Sequence, residues 1–167
     1  MLMSCQESAD KRFRMVLERN WDESRPVVLF VMLNPSTADG MSDDPTVRRC
    51  VAFAKAWGYG GLRIVNLIAY RTASPDEMYA WLRTASADEL RQSVTSLRIE
   101  AFRADVDRVV CAWGNLQKGL VPYAAMVVER LRARRRLWAI KINGSGQPAH
   151  PLYLKGDLQL VEFARES

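Results

Sequence analysis

One segment constrains this chain more than any other. Val27-Val-Leu-Phe-Val-Met-Leu33 is unbroken apolar sequence, rich in β-branched residues, and it stops abruptly at Asn34-Pro35-Ser36-Thr37. A strand with one wet face alternates polar and apolar residues, whereas a strand without alternation has to be covered on both faces. The run therefore predicts a sheet sandwiched between helices. The sequence after it agrees. Asp43-Asp44-Pro45 supplies an N-cap acid and a first-turn proline for a helix whose apolar face is Val47, Cys50, Val51 and Ala54 and which stops at Gly58. Leu62 to Ile68 is a second strand. Ser74-Pro75-Asp76-Glu77 has capping-box spacing and opens helical sequence to about Arg103, with a break near Ala85. Val106 to Trp113 reads as a third strand, Gln117 to Arg135 as helical, and Leu137 to Ile142 as a fourth strand before a Gly-Ser-Gly loop. Phe13 to Trp21 is expected as an edge strand or short hairpin, and the sequence beyond His150 as loop plus a short terminal element.

Four strands joined by right-handed helical crossovers predict a three-layer α/β/α sandwich around a parallel sheet of spatial order 2-1-3-4. At 167 residues the chain is expected to be one α/β domain, with residues 1–12 as a flexible lead-in. The three cysteines, Cys5, Cys50 and Cys111, are odd in number and scattered, which suits a reducing compartment. No apolar stretch approaches the length of a membrane span, and MLMSCQESADKRFR has no apolar signal core, so a cytoplasmic location without membrane contact is expected. The net charge is +5, and lysine occupies only positions 11, 55, 118, 141 and 155. This arginine bias suits phosphates and base edges. Yet the densest cluster, Arg130, Arg132, Arg134, Arg135 and Arg136, falls at a predicted helix end, where cations complement the macrodipole.

In open α/β sheets ligands bind beyond the carboxyl ends of the strands, so the residues that end each strand are the candidate site. The first strand ends in Asn34-Pro35-Ser36-Thr37-Ala38-Asp39, the second carries Asn66, the third ends in Trp113-Gly114, and the fourth leads to the sole histidine, in His150-Pro151-Leu152-Tyr153.

The runs MLNPSTAD, DDPTVRRC, WGYGGLRIVNLIAYR, AWG and HPLYL resemble the bacterial and phage family called domain of unknown function 1643, over about Phe13 to Leu154. One stretch departs from that family's pattern: Ala85 to Ser96 reads ASADELRQSVTS, helical where the family has a Pro/Gly-rich segment. The order of features is also similar to the uracil-DNA glycosylase superfamily. There a first-strand Asn/Asp-Pro motif, a second-strand base-reading Asn, a third-strand Trp-Gly and a His-Pro loop follow one another. Asn34-Pro35, Asn66, Trp113-Gly114 and His150-Pro151 fall on these in order. The resemblance implies a uracil-DNA glycosylase-like fold, DNA or a nucleotide as partner, and a role in DNA repair or base modification.

Cleaving an N-glycosidic bond requires a water held against the sugar carbon and stabilisation of charge on the departing base. Asn34 is placed for the water and His150 for the base, these two being the candidate catalytic residues. Asn66 offers a donor and an acceptor to a pyrimidine edge, with Pro35 and Trp113 beside it as base contacts. Ser36, Thr37, Asp39 and Arg48 are the candidate contacts to phosphate or the nucleic-acid backbone. Each has a plainer reading. Asn34-Pro35 starts turns, His150 and Trp113-Gly114 also serve packing, and Asp43 and Asp44 read as helix caps before they read, with Asp39, as a carboxylate cluster for Mg²⁺. One histidine and scattered cysteines make no zinc or iron–sulfur ligand set, and no G-x-S-x-G elbow surrounds Ser36, so neither a metal nor a cofactor is expected. Two functions stay open at this point: a glycosylase-like hydrolase acting on uracil or a modified pyrimidine, and a pocket that binds a modified base, nucleotide or nucleotide-derived signal without that chemistry.

Overall fold

The computed structural model describes residues 1–165. Its elements run β1 (Leu2–Glu7), β2 (Arg14–Asn20), β3 (Val27–Met32), α1 (Pro45–Ala56), β4 (Gly61–Asn66), α2 (Pro75–Leu82), α3 (Ala87–Ala101), β5 (Val106–Cys111), α4 (Val121–Arg132), β6 (Leu137–Ala139) and β7 (Val161–Phe163). A short 3-10 turn, Lys118–Leu120, leads into α4.

All strands belong to one seven-stranded mixed sheet of order β1-β2-β4-β3-β5-β6-β7. The four central strands β4, β3, β5 and β6 are parallel neighbours in that order. The expectation of a four-stranded, purely parallel sheet is corrected at both flanks. β2 pairs antiparallel with β4, β1 antiparallel with β2, and β7 antiparallel with β6. The first twelve residues are therefore not a loose lead-in as expected: residues 2–7 form an edge strand whose backbone is held by β2. β1 alternates exposed and half-buried residues and β7 spans only three residues, so neither carries an apolar run in the sequence.

Every residue of β3 is buried because the sheet is covered on both faces. Val28 and Phe30 point toward α1, with Leu62, Ile64 and Val110, and meet Val47, Cys50, Phe53 and Ala54. Leu29 and Val31 point the other way, with Val65, Val109 and Cys111, and meet residues of α2, α3 and α4 such as Met78, Leu97, Ala124 and Val127. The switch of helix direction between α1 on one face and α4 on the other opens a crevice where β3 adjoins β5.

Local signals place the helices. Asp44 caps α1 by accepting from the Val47 N–H at 2.8 Å, with Pro45 in the first turn, and Gly58 at φ +84° follows the last turn. Ser74 accepts from the Glu77 N–H, but the Glu77 carboxylate turns to the Thr72 hydroxyl instead of closing back on Ser74. The complete capping box lies at the predicted break, between Ser86 and Glu89. The arginine cluster after α4 is structural at its centre. Arg135 donates to the carbonyl oxygens of Ala101, Arg103 and Val106, holding the end of α3 to the start of β5.

Candidate functional site

A cavity of about 420 Å³ opens at the carboxyl ends of the parallel strands. Met32, Leu33 and Asn34 reach it from the end of β3, Asn66 from β4, Trp113 and Gly114 from just past β5, and His150 from the loop beyond β6. The first turn of α1 contributes Asp44, Thr46 and Val47. Thr72 and Pro75 close another side and Tyr79 of α2 a third, while Arg14 enters from the start of β2. The topology therefore brings Asn34, Ser36, Asn66, Trp113 and His150 to one cavity from four separate stretches of sequence.

Asn66 is the residue that chemistry most sharply marks. It is 3% exposed, and neither Nδ2 nor Oδ1 has a hydrogen-bond partner. It continues the side of β4 that Leu62 and Ile64 present to α1, at the register position of Met32.

Asn34 is held differently. Its Nδ2 donates to the carbonyl oxygens of Thr72 at 2.9 Å and Pro35 at 3.2 Å, tying the loop after β3 to the loop after β4. Its amide hydrogens are thus occupied, and only Oδ1 is left to meet a ligand or water.

His150 has a fixed polarity. Its Nδ1 accepts from the Leu152 N–H at 3.2 Å, which leaves the proton of the neutral ring on Nε2. Burial pulls its pKa below the usual value, with the Asp44 charge opposing that shift in part, so the ring is neutral at physiological pH. Gly114 is required beside it. With φ at +76°, and with the His150 Cβ 3.4 Å from where a Cβ would sit, a larger residue would be both strained and crowded.

Trp113 forms wall rather than contact point for hydrogen bonding. Its Nε1 donates to Gln147 Oε1 at 2.8 Å and its ring meets Phe163 edge-on. Asp44, read from the sequence as a cap, is both cap and cavity lining: one oxygen accepts from Val47 and the other from the Ala38 N–H at 3.3 Å.

Four expected contacts lie elsewhere. Pro35 is buried behind the loop, where its carbonyl accepts from Asn34 and from the Thr72 N–H. Thr37 is exposed and outside the cavity lining. Asp39 turns its carboxylate onto the amides of Met41 and Ser42, which hold its pKa below the usual range. Arg48 is exposed and donates back to the Asp43 carbonyl. Two amides of this loop are engaged within the protein as well: the Ala38 N–H goes to Asp44 and the Asp39 N–H to the Ser42 carbonyl. Nor do the three acids form a cluster: Asp43 is paired with Arg19 at 2.7 Å, and no group of metal-binding side chains occurs among the described residues.

Arg14, Tyr79 and Gln117 border the cavity without having been picked out in the sequence. Arg14 is the important one. It is 3% exposed, its Nη1 donates to the Ala38 carbonyl at 2.8 Å, and its Nε has no partner. A single arginine at the head of a short strand carries no local signal, since the groups that make it unusual come from other elements.

The model of the family described as protein of unknown function (DUF1643) matches residues 14–152. The chain belongs to this family. The matched segment begins at Arg14 and ends just past His150, so it contains every residue that lines the cavity. No curated protein and no solved structure matches the chain significantly.

Proposed function

We propose that the protein recognises a nucleobase in this cavity, uracil or a modified pyrimidine, and acts as a DNA glycosylase-like hydrolase of its N-glycosidic bond. The observation that carries the reading is Asn66. A buried amide without a partner costs about 1–3 kcal/mol, and a ligand that supplies one acceptor and one donor along a single edge removes that cost. A pyrimidine edge has that pattern. The cavity volume falls within the range of roughly 300–1,000 Å³ that small-molecule sites occupy.

In the reaction, the oxygen of a water bonds to the sugar C1′ while the C1′–N bond breaks and its electron pair leaves with the base. Asn34 Oδ1 accepts a hydrogen bond from that water and orients it. The His150 Nε2–H donates to the base oxygen on which negative charge develops, and the proton lost by the water ends on the departing base or in solvent. The order of motifs, Asn34-Pro35, Asn66, Trp113-Gly114, His150-Pro151, supports the comparison with uracil-DNA glycosylases, as does the parallel order β4-β3-β5-β6. Nucleic-acid backbone contact is assigned to Ser36 in the lining and to exposed Thr37 and Arg48 nearby in sequence.

One observation favours a second reading, a pocket that binds a modified base, nucleotide or nucleotide-derived signal without hydrolysis. The basic groups of the lining are engaged by the backbone, since both Asp44 oxygens accept N–H groups and His150 Nδ1 does the same. The test is release of bases, read as abasic sites, from single- and double-stranded DNA containing uracil, thymine or 5-hydroxymethylated pyrimidines. Asn34→Ala and His150→Ala are each expected to slow release by roughly 10² or more with little change in affinity. Binding without release across all substrates overturns the hydrolase and leaves the recognition pocket. Absence of both overturns the nucleobase reading.

A further inference from the structure

Among the side chains bordering the cavity, those that present hydrogen-bonding atoms toward it divide by whether their polarity is fixed. An amide is not fixed unless something holds it: Asn66 has no partner on either end, so it can turn over and read an oxo-imino edge or an amino-imine edge equally well. It recognises a pyrimidine edge but does not choose between uracil-like and cytosine-like bases. His150 is fixed as a donor by the Leu152 N–H on its other nitrogen. Arg14 is fixed by its chemistry, because a guanidinium donates and never accepts. Two acceptors in the lining are fixed: Asn34 Oδ1, which the proposed reaction gives to the attacking water, and Asp44, whose oxygens are turned to the amides of Ala38 and Val47.

We infer that Arg14 is a specificity-determining, ligand-facing residue, whose unpartnered Nε–H meets the 4-position of the bound ring and so admits 2,4-dioxo pyrimidines in preference to 4-amino pyrimidines. The inference rests on the nucleobase reading given above. Arg14 is buried beside the cavity with an Nη1–H held by the Ala38 carbonyl, a buried Nε–H without a partner, and no carboxylate at ion-pair distance among the described residues. The other arginines nearby are saturated: Arg71 by Glu7, Ser36 and Ala38, and Arg19 by Asp43 and carbonyl oxygens. Burial pulls the Arg14 pKa down to about 10, with the Asp44 charge resisting, so it stays a cation at neutral pH. An amino group placed against it would confront donor with donor and leave both unsatisfied, which discriminates strongly in a buried site.

The experiment is an NMR titration of the intact protein with the free bases uracil and cytosine, alongside Arg14→Gln and Arg14→Lys, with folding of each variant checked by circular dichroism. Wild type is expected to prefer uracil by roughly tenfold to hundredfold, the difference that one charge-assisted hydrogen bond makes. Arg14→Gln substitutes an amide that can present either end, and its preference is expected to fall toward unity. Arg14→Lys remains a pure donor and is expected to keep most of it. A wild type that binds both bases equally overturns the inference without any variant. A folded Arg14→Gln that keeps the full preference, or an Arg14→Lys that loses it, also overturns the inference while leaving the nucleobase reading in place. A wild type that binds neither base overturns both.

Discussion

Asn66→Leu separates a ligand-reading amide from a structural one, because the two roles give opposite signs. Leucine keeps the branching of asparagine at Cγ, is larger, and suits a buried strand facing α1 with the cavity beside it. No hydrogen bond to protein is lost, since neither amide atom of Asn66 makes one. Removing a desolvated polar group without a partner relieves about 1–3 kcal/mol. Both amide atoms are shut off from solvent, but leucine is the larger side chain and fitting it offsets part of the gain, so the lower end, about 1 kcal/mol of stabilisation, is expected. For a domain of this size that raises Tm by about 2–4 °C. Thermal and urea melting give the measurement, with an unchanged urea dependence showing that the same surface is exposed on unfolding. The same variant is expected to lose binding of the base altogether, so stability and recognition move in opposite directions. A loss of 1 kcal/mol or more, with affinity retained per folded molecule, would refute the reasoning and make Asn66 part of the scaffold.

Three other outcomes are expected. Burial disfavours the imidazolium of His150, so the unfolded chain takes up the proton first; the stability this residue contributes is complete above its usual value near 6.5 and is lost as pH falls through its folded pKa. Melting temperatures of wild type should therefore decline more steeply between pH 7 and 5 than those of His150→Gln, and parallel curves would exclude a buried neutral histidine. Cys50 and Cys111 are fully buried and their thiol pKa values are pushed well above the ordinary range, whereas Cys5 is half-buried. A chromogenic disulfide reagent should modify Cys5 alone until denaturant is added, and Cys111→Ser should cost about 1–3 kcal/mol by burying a hydroxyl without a designed partner. Arg135→Met removes the bonds to three carbonyl oxygens and should destabilise by about 1–3 kcal/mol while leaving base binding unchanged, as measured by melting and by the same titration. An effect on binding instead would show that the arginine cluster faces the ligand.

Much of the central sheet was legible because its physics is local. The apolar run of Val27 to Met32, the proline-bearing caps at Asp44 and Ser74, and the stop at Gly58 each announce themselves within a few residues. The flanking strands did not. β1, with exposed and half-buried residues in alternation, and the three-residue β7 are defined by the partners that hydrogen-bond to them. The capping box was read at Ser74 when the closed one is at Ser86, since Thr72 draws the Glu77 carboxylate away.

The site divides the same way. Sequence alone singled out Asn34, Asn66, Trp113 and His150, because a polar or aromatic residue at the end of an apolar strand is unusual wherever the strand goes. Which of their atoms are free was decided only by the tertiary structure. It engages the amide of Asn34 and the indole of Trp113, sets the proton of His150 on Nε2, and leaves Asn66 without a partner. It also brings in Arg14 and Asp44 and removes Pro35, Asp39 and Arg48 from the cavity. The reason is that residue type sets how many hydrogen bonds a group can make, while its remaining capacity depends on neighbours that arrive from distant parts of the chain.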